Sequence, residues 1–312
     1  MHRTIEISVS PGADDRLLEQ LAALESVVGL SLNRGASLKP PGDVVRFHTL
    51  NRGADEVMEV VAAMERQGEV SVATAEVASF IDPKHQHAVD RDVDEALWEE
   101  METGLRHQGR VTANYLSLMA LGGALAAMGL LTTGIAQVVS FIAAPLIAPG
   151  FEPLSKIALG FTLRRWSTLW RGLKSSLAGY AVLIAAAALT FVVLRALGAV
   201  DAGAFLGNHE VEKIVHPDAF GYAYSAIGVL AGAMVLAAYR RSTIGGALMA
   251  LEVIHASAMV GVSLGVGRPD YVLEGLTRTG VDVLLILVLS SLVIWLKQVL
   301  RPPSPSARLK AA

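Results

Sequence analysis

Two hydrophobic periodicities divide the chain. Across residues 4–9 apolar and polar positions alternate, with Ile5, Ile7 and Val9 on one face, which predicts a strand. Ser10, Pro11 and Gly12 break it, and Leu17, Leu18, Leu21 and Leu24 follow at helical spacing. Residues 27–32 read as a second strand, 33–43 as a Gly/Pro-rich loop, and 44–50 as a third strand with Val45 and Phe47 on one face. Residues 55–67 predict a helix burying Val57, Val60, Val61 and Met64, and 69–77 a last strand. The order β-α-β-β-α-β predicts an α+β ferredoxin-like domain over 1–81, closed by Asp82-Pro83. Such folds serve as sensing or dimerising modules, but the fold assigns neither role. The segment has no phosphate loop and no catalytic constellation, so packing and assembly is its plainest use.

Residues 82–110 read as a linker. Val93, Leu97, Met101 and Leu105 recur every four residues with acids between them, which predicts an amphipathic helix. Its carboxylates (Asp90, Asp92, Asp94, Glu95, Glu99, Glu100, Glu102) oppose docking on anionic lipid, so packing on the head or a second subunit is expected. His85 and His87 in this solvated stretch are read as incidental rather than as metal ligands. From residue 111 the pattern changes to long apolar runs at 112–131, 134–161, 175–197, 219–239, 243–266 and 279–297. Most approach the ~20 residues that cross a bilayer. The prediction is a polytopic α-helical membrane protein with about six spans over 111–300 and a tail at 301–312. The second run exceeds one straight crossing and carries Pro145, Pro149 and Pro153.

Composition agrees with this division. Of 312 residues 53% are hydrophobic and 18% charged, below the roughly one quarter usual for soluble chains. The net charge of −3 averages two unlike halves, and no basic nucleic-acid footprint exists. With no cysteine, disulfides, thiolate metal sites and Cys nucleophiles are excluded. The first residues lack the apolar core of a signal peptide, so the head is expected in the cytoplasm. Short-loop Lys and Arg sort ten against four if both termini are cytoplasmic: Arg164, Arg165, Arg171, Lys174, Arg240, Arg241, Lys297, Arg301, Arg308 and Lys310 inside, Arg195, Lys213, Arg268 and Arg278 outside. Residues 198–218 are then an acidic outer loop of a multi-pass protein in the cell (inner or plasma) membrane.

The loops also repeat. Residues from Ala158 and from Ser263 each read Leu-Gly, a basic turn, an aromatic (Trp166, Tyr271) and a Gly-Leu entry into the next span, and Leu121-Gly122-Gly123-Ala124 matches Leu230-Ala231-Gly232-Ala233. Offsets of 103 to 109 residues define a three-span unit, which must enter the membrane in opposite senses in its two copies. The segment Ala143-Ala144-Pro145-Leu146-Ile147-Ala148-Pro149, then Ile157-Ala158-Leu159-Gly160 and Trp166, resembles the bacterial and archaeal membrane proteins of domain-of-unknown-function family 389. The resemblance covers about 110–300 and the head more loosely. Where that family usually has Pro-Pro in the fifth span, this chain has His255-Ala256. It implies an architecture and no activity.

Candidate chemistry lies in the apolar half. Pro145, Pro149 and Pro153 each free a carbonyl four residues back, which predicts a broken helix around Pro149 able to meet an ion. Pro153 suits the first position of the second half-helix, with Gly150 and Glu152 at its entry. Glu152 and Lys156 are spaced to pair across a turn, with Lys156 expected to snorkel. Glu252 and His255 share a helix face near mid-span, where an acid needs a reason to persist, and suit proton relay or cation binding. A hydrogen-bonded pair that only pins helix register is the alternative. Asp282, a turn inside the sixth span, is expected to reach the outer interface, and Gly228/Gly232 and Gly261/Gly265 to mark close helix contacts. No cofactor, metal or nucleic acid is expected, and no nucleophile–base signature marks an enzyme. The expected function is a transporter or channel-like protein for an unidentified ion or small solute, with proton coupling an option. Its partners would be the bilayer and a second copy of the chain. The competing expectation is a membrane-anchored sensor or scaffold acting through its head.

Overall fold

The computed structural model describes residues 2–11, 14–65, 70–77, 81–92, 98, 101, 104–105, 109–238 and 243–300. Two compact units divide at residue 100. The first opens with β1 (His2–Val9), α1 (Asp14–Ala22), β2 (Val27–Leu38) and β3 (Pro41–Thr49). A 3-10 turn at Asn51–Gly53, α2 (Ala54–Glu65) and β4 (Val70–Val77) complete it. The strands form an antiparallel sheet in the order β2-β3-β1-β4, as the β-α-β-β-α-β reading requires. Alternation puts Ile5 and Ile7 of β1 beside Phe47 and Val45 of β3, and all four are fully buried with Leu17, Leu21 and Val57. Each such side chain contributes about 1.5–3 kcal/mol of transfer free energy.

Two expectations for this unit change. The loop expected at 33–43 is mostly strand, because β2 runs on to Leu38 and β3 begins at Pro41. Beyond Leu32 the β2 residues are almost all exposed, so no alternation of hydrophobicity announced them. Gly29 and Gly35, at φ 70° and 62°, stand within the two register shifts that bend this edge strand. The boundary at 81 also moves. A short α3 (Gln86–Asp90) leads to Asp92, whose carboxylate accepts the Asn51 and Arg52 backbone N–H groups at 2.7 and 3.2 Å. The first part of the linker is therefore fastened to the head. Of the expected amphipathic positions, Met101 and Leu105 are helical and buried, while Val93 and Leu97 lie outside the described residues, as does the tail.

The second unit is helical. It contains α4 (Ala113–Leu131), α5 (Ile135–Ile147), α6 (Phe151–Thr162) and α7 (Trp166–Ala196). Short α8 (Ala202–Leu206) and α9 (His209–Val215) precede α10 (Ala219–Ala237), α11 (Thr243–Val266) and α12 (Pro269–Leu300). Among the described residues four helices, α4, α7, α10 and α12, are long and apolar enough to cross a membrane, and α5 with α6 makes a fifth if that bent pair is one span. In the most apolar stretch of α7, α10 and α12 only 22% of residues are buried within the protein, against 50% in α4. Of these four α4 is the most enclosed, and the other three present Leu177, Leu189, Ile227 and Leu284 outward. Apolar surface on this scale suits hydrocarbon rather than water.

Residues 198–218 are not an open loop. Asp201, Asn208 and Asp218 cap α8, α9 and α10 in turn, and Phe205 and Val211 are buried. Asn208 Nδ2 also donates to the Leu130 and Thr132 carbonyls at 3.0 Å each, closing the end of α4. The helices α7 and α12 extend several turns ahead of the apolar runs expected at 175 and 279, because their first turns are polar. Both follow the same junction. A left-handed residue (Arg164 at φ 56°, Gly267 at φ 82°) ends the preceding helix, and the next N–H bonds five residues back, Arg165 to Gly160 at 2.7 Å and Arg268 to Ser263 at 3.0 Å.

Candidate functional site

Helix α12 starts where the chain allows it to. Gly267 supplies the left-handed turn, Pro269 is its first residue, and Asp270 lies in its first turn. Nine residues on, about 14 Å along the axis, stands Arg278, with Asp282 one turn further. Both are buried, 4% and 3% exposed, in a segment otherwise rich in leucine and valine. Arg278 Nε lies 3.1 Å from Asp282 Oδ2, and an Arg278 terminal nitrogen lies 3.4 Å from Glu252 Oε2 on α11. The same nitrogen donates to Ser225 Oγ of α10 at 2.9 Å, and the Tyr222 ring lies 5.1 Å from the guanidinium. Three helices thus converge on one guanidinium and two carboxylates. Taken as ionised, the group carries one negative charge more than positive, in surroundings that solvate charge poorly.

This cluster unites two of the sequence candidates, Glu252 and Asp282, through a residue assigned on sequence to an outer loop. Arg278 fell one position before the apolar run, which hid it. The signal was the Arg-x-x-x-Asp spacing, which puts both groups on one helix face. Asp282 does not reach an interface; its carboxylate is enclosed beside Arg278. His255 is buried as expected, but it meets α5, its ring 4.3 Å from that of Phe141, whereas Glu252 meets α12. The shared face of α11 therefore serves two different neighbours.

The break expected around Pro149 is present: α5 and α6 meet at 46° across Ala148, Pro149 and Gly150. Pro145 lies inside α5 and is buried. Pro153 occupies the third position of α6 rather than the first, still within the turn whose N–H groups lack helical acceptors. The break is filled by the protein's own groups. Tyr180 of α7 donates its hydroxyl to the Gly150 carbonyl at 3.1 Å, and Glu152 supplies a carboxylate to the first turn of α6. That turn is thus poorly suited to a second anion. Lys156 neither snorkels nor pairs with Glu152 within 4.0 Å among the described residues. It is 3% exposed, and its Nζ donates to the Gly109 carbonyl at 3.0 Å. Gly261 packs as expected, since a Cβ there would lie 2.2 Å from the Ile184 carbonyl of α7.

Residues 146–288 match the family model described as Domain of unknown function (DUF389), the family whose motifs the sequence resembles. No curated protein and no solved structure matches the chain.

Proposed function

We propose that the DUF389 domain is the translocating unit of a proton-coupled membrane transporter or channel-like protein for a small ion or solute, with the head as its regulatory or assembly module. The observation that carries this reading is the excess of one carboxylate over guanidinium at Glu252, Arg278 and Asp282. Balancing that charge away from water takes a proton or a cation, and either can be exchanged as the site opens to alternate sides. A purely structural ion pair has no need of the second acid.

The reading includes a three-helix repeat, which helix lengths and contacts support. The helices α4 and α10 each have 19 residues, and α7 and α12 have 31 and 32. Across the halves α6 touches α12 while α11 touches α7, as an exchange-symmetric arrangement requires. An offset of 103 (252 − 149; 255 − 152) sets Glu252 against Pro149 and His255 against Glu152. Counting α5–α6 and α11 as one span each gives six crossings with both termini cytoplasmic, in an inverted 3+3 plan.

The test is proton uptake into proteoliposomes, followed with an enclosed pH dye under an imposed potential. Wild type should take up protons, and Glu252→Gln should abolish this while retaining wild-type melting behaviour. Equal uptake and pH profile in the two proteins would remove Glu252 from the mechanism. The independent core of the head favours a second reading, a membrane-anchored sensor or scaffold. Uptake by a chain lacking residues 1–100 would separate the two.

A further inference from the structure

A second cluster of charge lies away from Arg278. On α7, Thr168, Arg171, Lys174 and Ser175 follow one another at spacings that keep them on one side of the helix. They line a cleft of ≈ 410 Å³ whose other walls are Lys156 of α6 and Arg110 and Val111, which lead into α4. We propose that this cleft binds a phosphate-bearing anion.

Four cations from three segments of the chain converge there, and among the described residues no carboxylate lines the cleft. Among the described residues none of the four is ion-paired with an acid within 4.0 Å; Glu152, one turn before Lys156, offsets part of their repulsion, and an anion in the cleft would offset more of it. The cations are also of different kinds. Arg110, Arg171 and Lys174 are exposed, whereas Lys156 is held in place, 3% exposed with one N–H on the Gly109 carbonyl. An ammonium has two further N–H bonds to offer, and Thr168 adds a hydroxyl. Guanidinium forks match tetrahedral phosphate oxygens in pairs, and a fixed ammonium beneath them supplies a point charge. A carboxylate would leave part of this donor set unused. The volume falls within the range usual for small-ligand sites.

The position of the cleft admits two sources of that anion. Tyr115, in the first turn of α4, donates to the Ser175 carbonyl at 2.9 Å, which puts the start of α4 beside this part of α7. Nearby Trp166 and Trp170 are 60% and 57% exposed, as aromatic side chains at a headgroup level are. A lipid phosphate and the phosphate of a soluble solute both reach such a site.

Binding is read on the full chain by melting temperature. One arm titrates inorganic phosphate into the protein in neutral detergent, against chloride at equal ionic strength. The other compares nanodiscs of phosphatidylcholine with and without phosphatidylglycerol. A saturable stabilisation is expected in at least one arm: the phosphatidylglycerol arm alone assigns a lipid headgroup, and the phosphate arm assigns a soluble ligand. Arg171→Gln/Lys174→Gln should weaken apparent affinity by about tenfold or more, while Arg195→Gln at the far end of α7 should leave it unchanged. If the double variant does not fold, Lys174→Gln alone, at an exposed position, should still weaken binding by about threefold. No saturable effect beyond chloride in either arm, or wild-type affinity in whichever of these variants folds, overturns the proposal. The measurement needs no flux, so it stands or falls separately from the transport reading.

Discussion

Replacing Arg278 with methionine keeps a long unbranched stem and deletes the guanidinium on which three helices converge. At 3.1 and 3.4 Å from two carboxylates, and with an effective dielectric of about 20, each attraction is worth about 5 kcal/mol before desolvation. Desolvation offsets much of that sum in the intact protein. Removing one partner leaves the cost behind without the gain, and loss of a buried partner typically amounts to about 3–5 kcal/mol. The Ser225 hydrogen bond and the Tyr222 ring contact vanish with it, adding about 1 kcal/mol more. Arg278→Met should therefore lower unfolding free energy by at least about 3 kcal/mol, read by reversible unfolding of the full chain in mixed detergent micelles. Adding Asp282→Asn removes one of the two stranded charges and should restore part of the loss, a non-additivity that identifies the contact. Glu252→Gln, which leaves Arg278 and Asp282 matched, should cost far less than Arg278→Met. A loss below about 1 kcal/mol for Arg278→Met, comparable with an ordinary surface change, would refute the reasoning.

Three further outcomes follow from the same geometry. In intact cells a cysteine replacing Asp201 should react with an impermeant maleimide, and one replacing Arg164 only after permeabilisation; the reverse pattern overturns the proposed orientation. A fragment of residues 1–92 should fold cooperatively and exceed residues 1–81 in stability, because Asp92 accepts two backbone N–H groups of the Asn51 turn; Asp92→Ala should cost about 1–3 kcal/mol by urea melts. Burial, and then Arg46, hold the His48 imidazole of this head below its ordinary value. The unfolded chain therefore takes up a proton that the folded chain declines, so stability is full above about pH 6.5 and falls as pH drops toward the folded value. His48→Gln should flatten that fall in melts of the fragment, and an unchanged slope would exclude His48 as its source.

Elements with a steady hydrophobic period were legible before any coordinates. Ile5, Ile7, Val45 and Phe47 alternate because one face of a sheet is covered, and the same burial then appears in the folded head. The long apolar runs announced α4, α7, α10 and α12 for an equally local reason, since their outward side chains are apolar as well as their buried ones. Pro149 marked the break between α5 and α6, because a missing N–H is a property of the residue itself. Where the period stopped, so did the reading. The outer half of β2 is exposed on both faces, and the polar first turns of α7 and α12 carry no apolar stripe.

The site divides along the same line. That Glu252 sits in an apolar helix and must answer for its charge is a matter of sequence alone. Its answer, Arg278, is 26 residues away and was counted on the other side of a loop, because hydropathy scores each residue against solvent and not against a neighbour. Only the packing of α10, α11 and α12 brings Ser225, Glu252 and Arg278 within reach of one another. The basic cleft has the same origin: Arg110, Lys156 and Arg171 belong to three segments whose meeting follows from the helix bend at Gly150 and the close contact of Gly172 with α6. Periodicity and residue chemistry set which segments are buried and where they break, while the pairing of charges between segments is a property of distance, which the chain acquires only on folding.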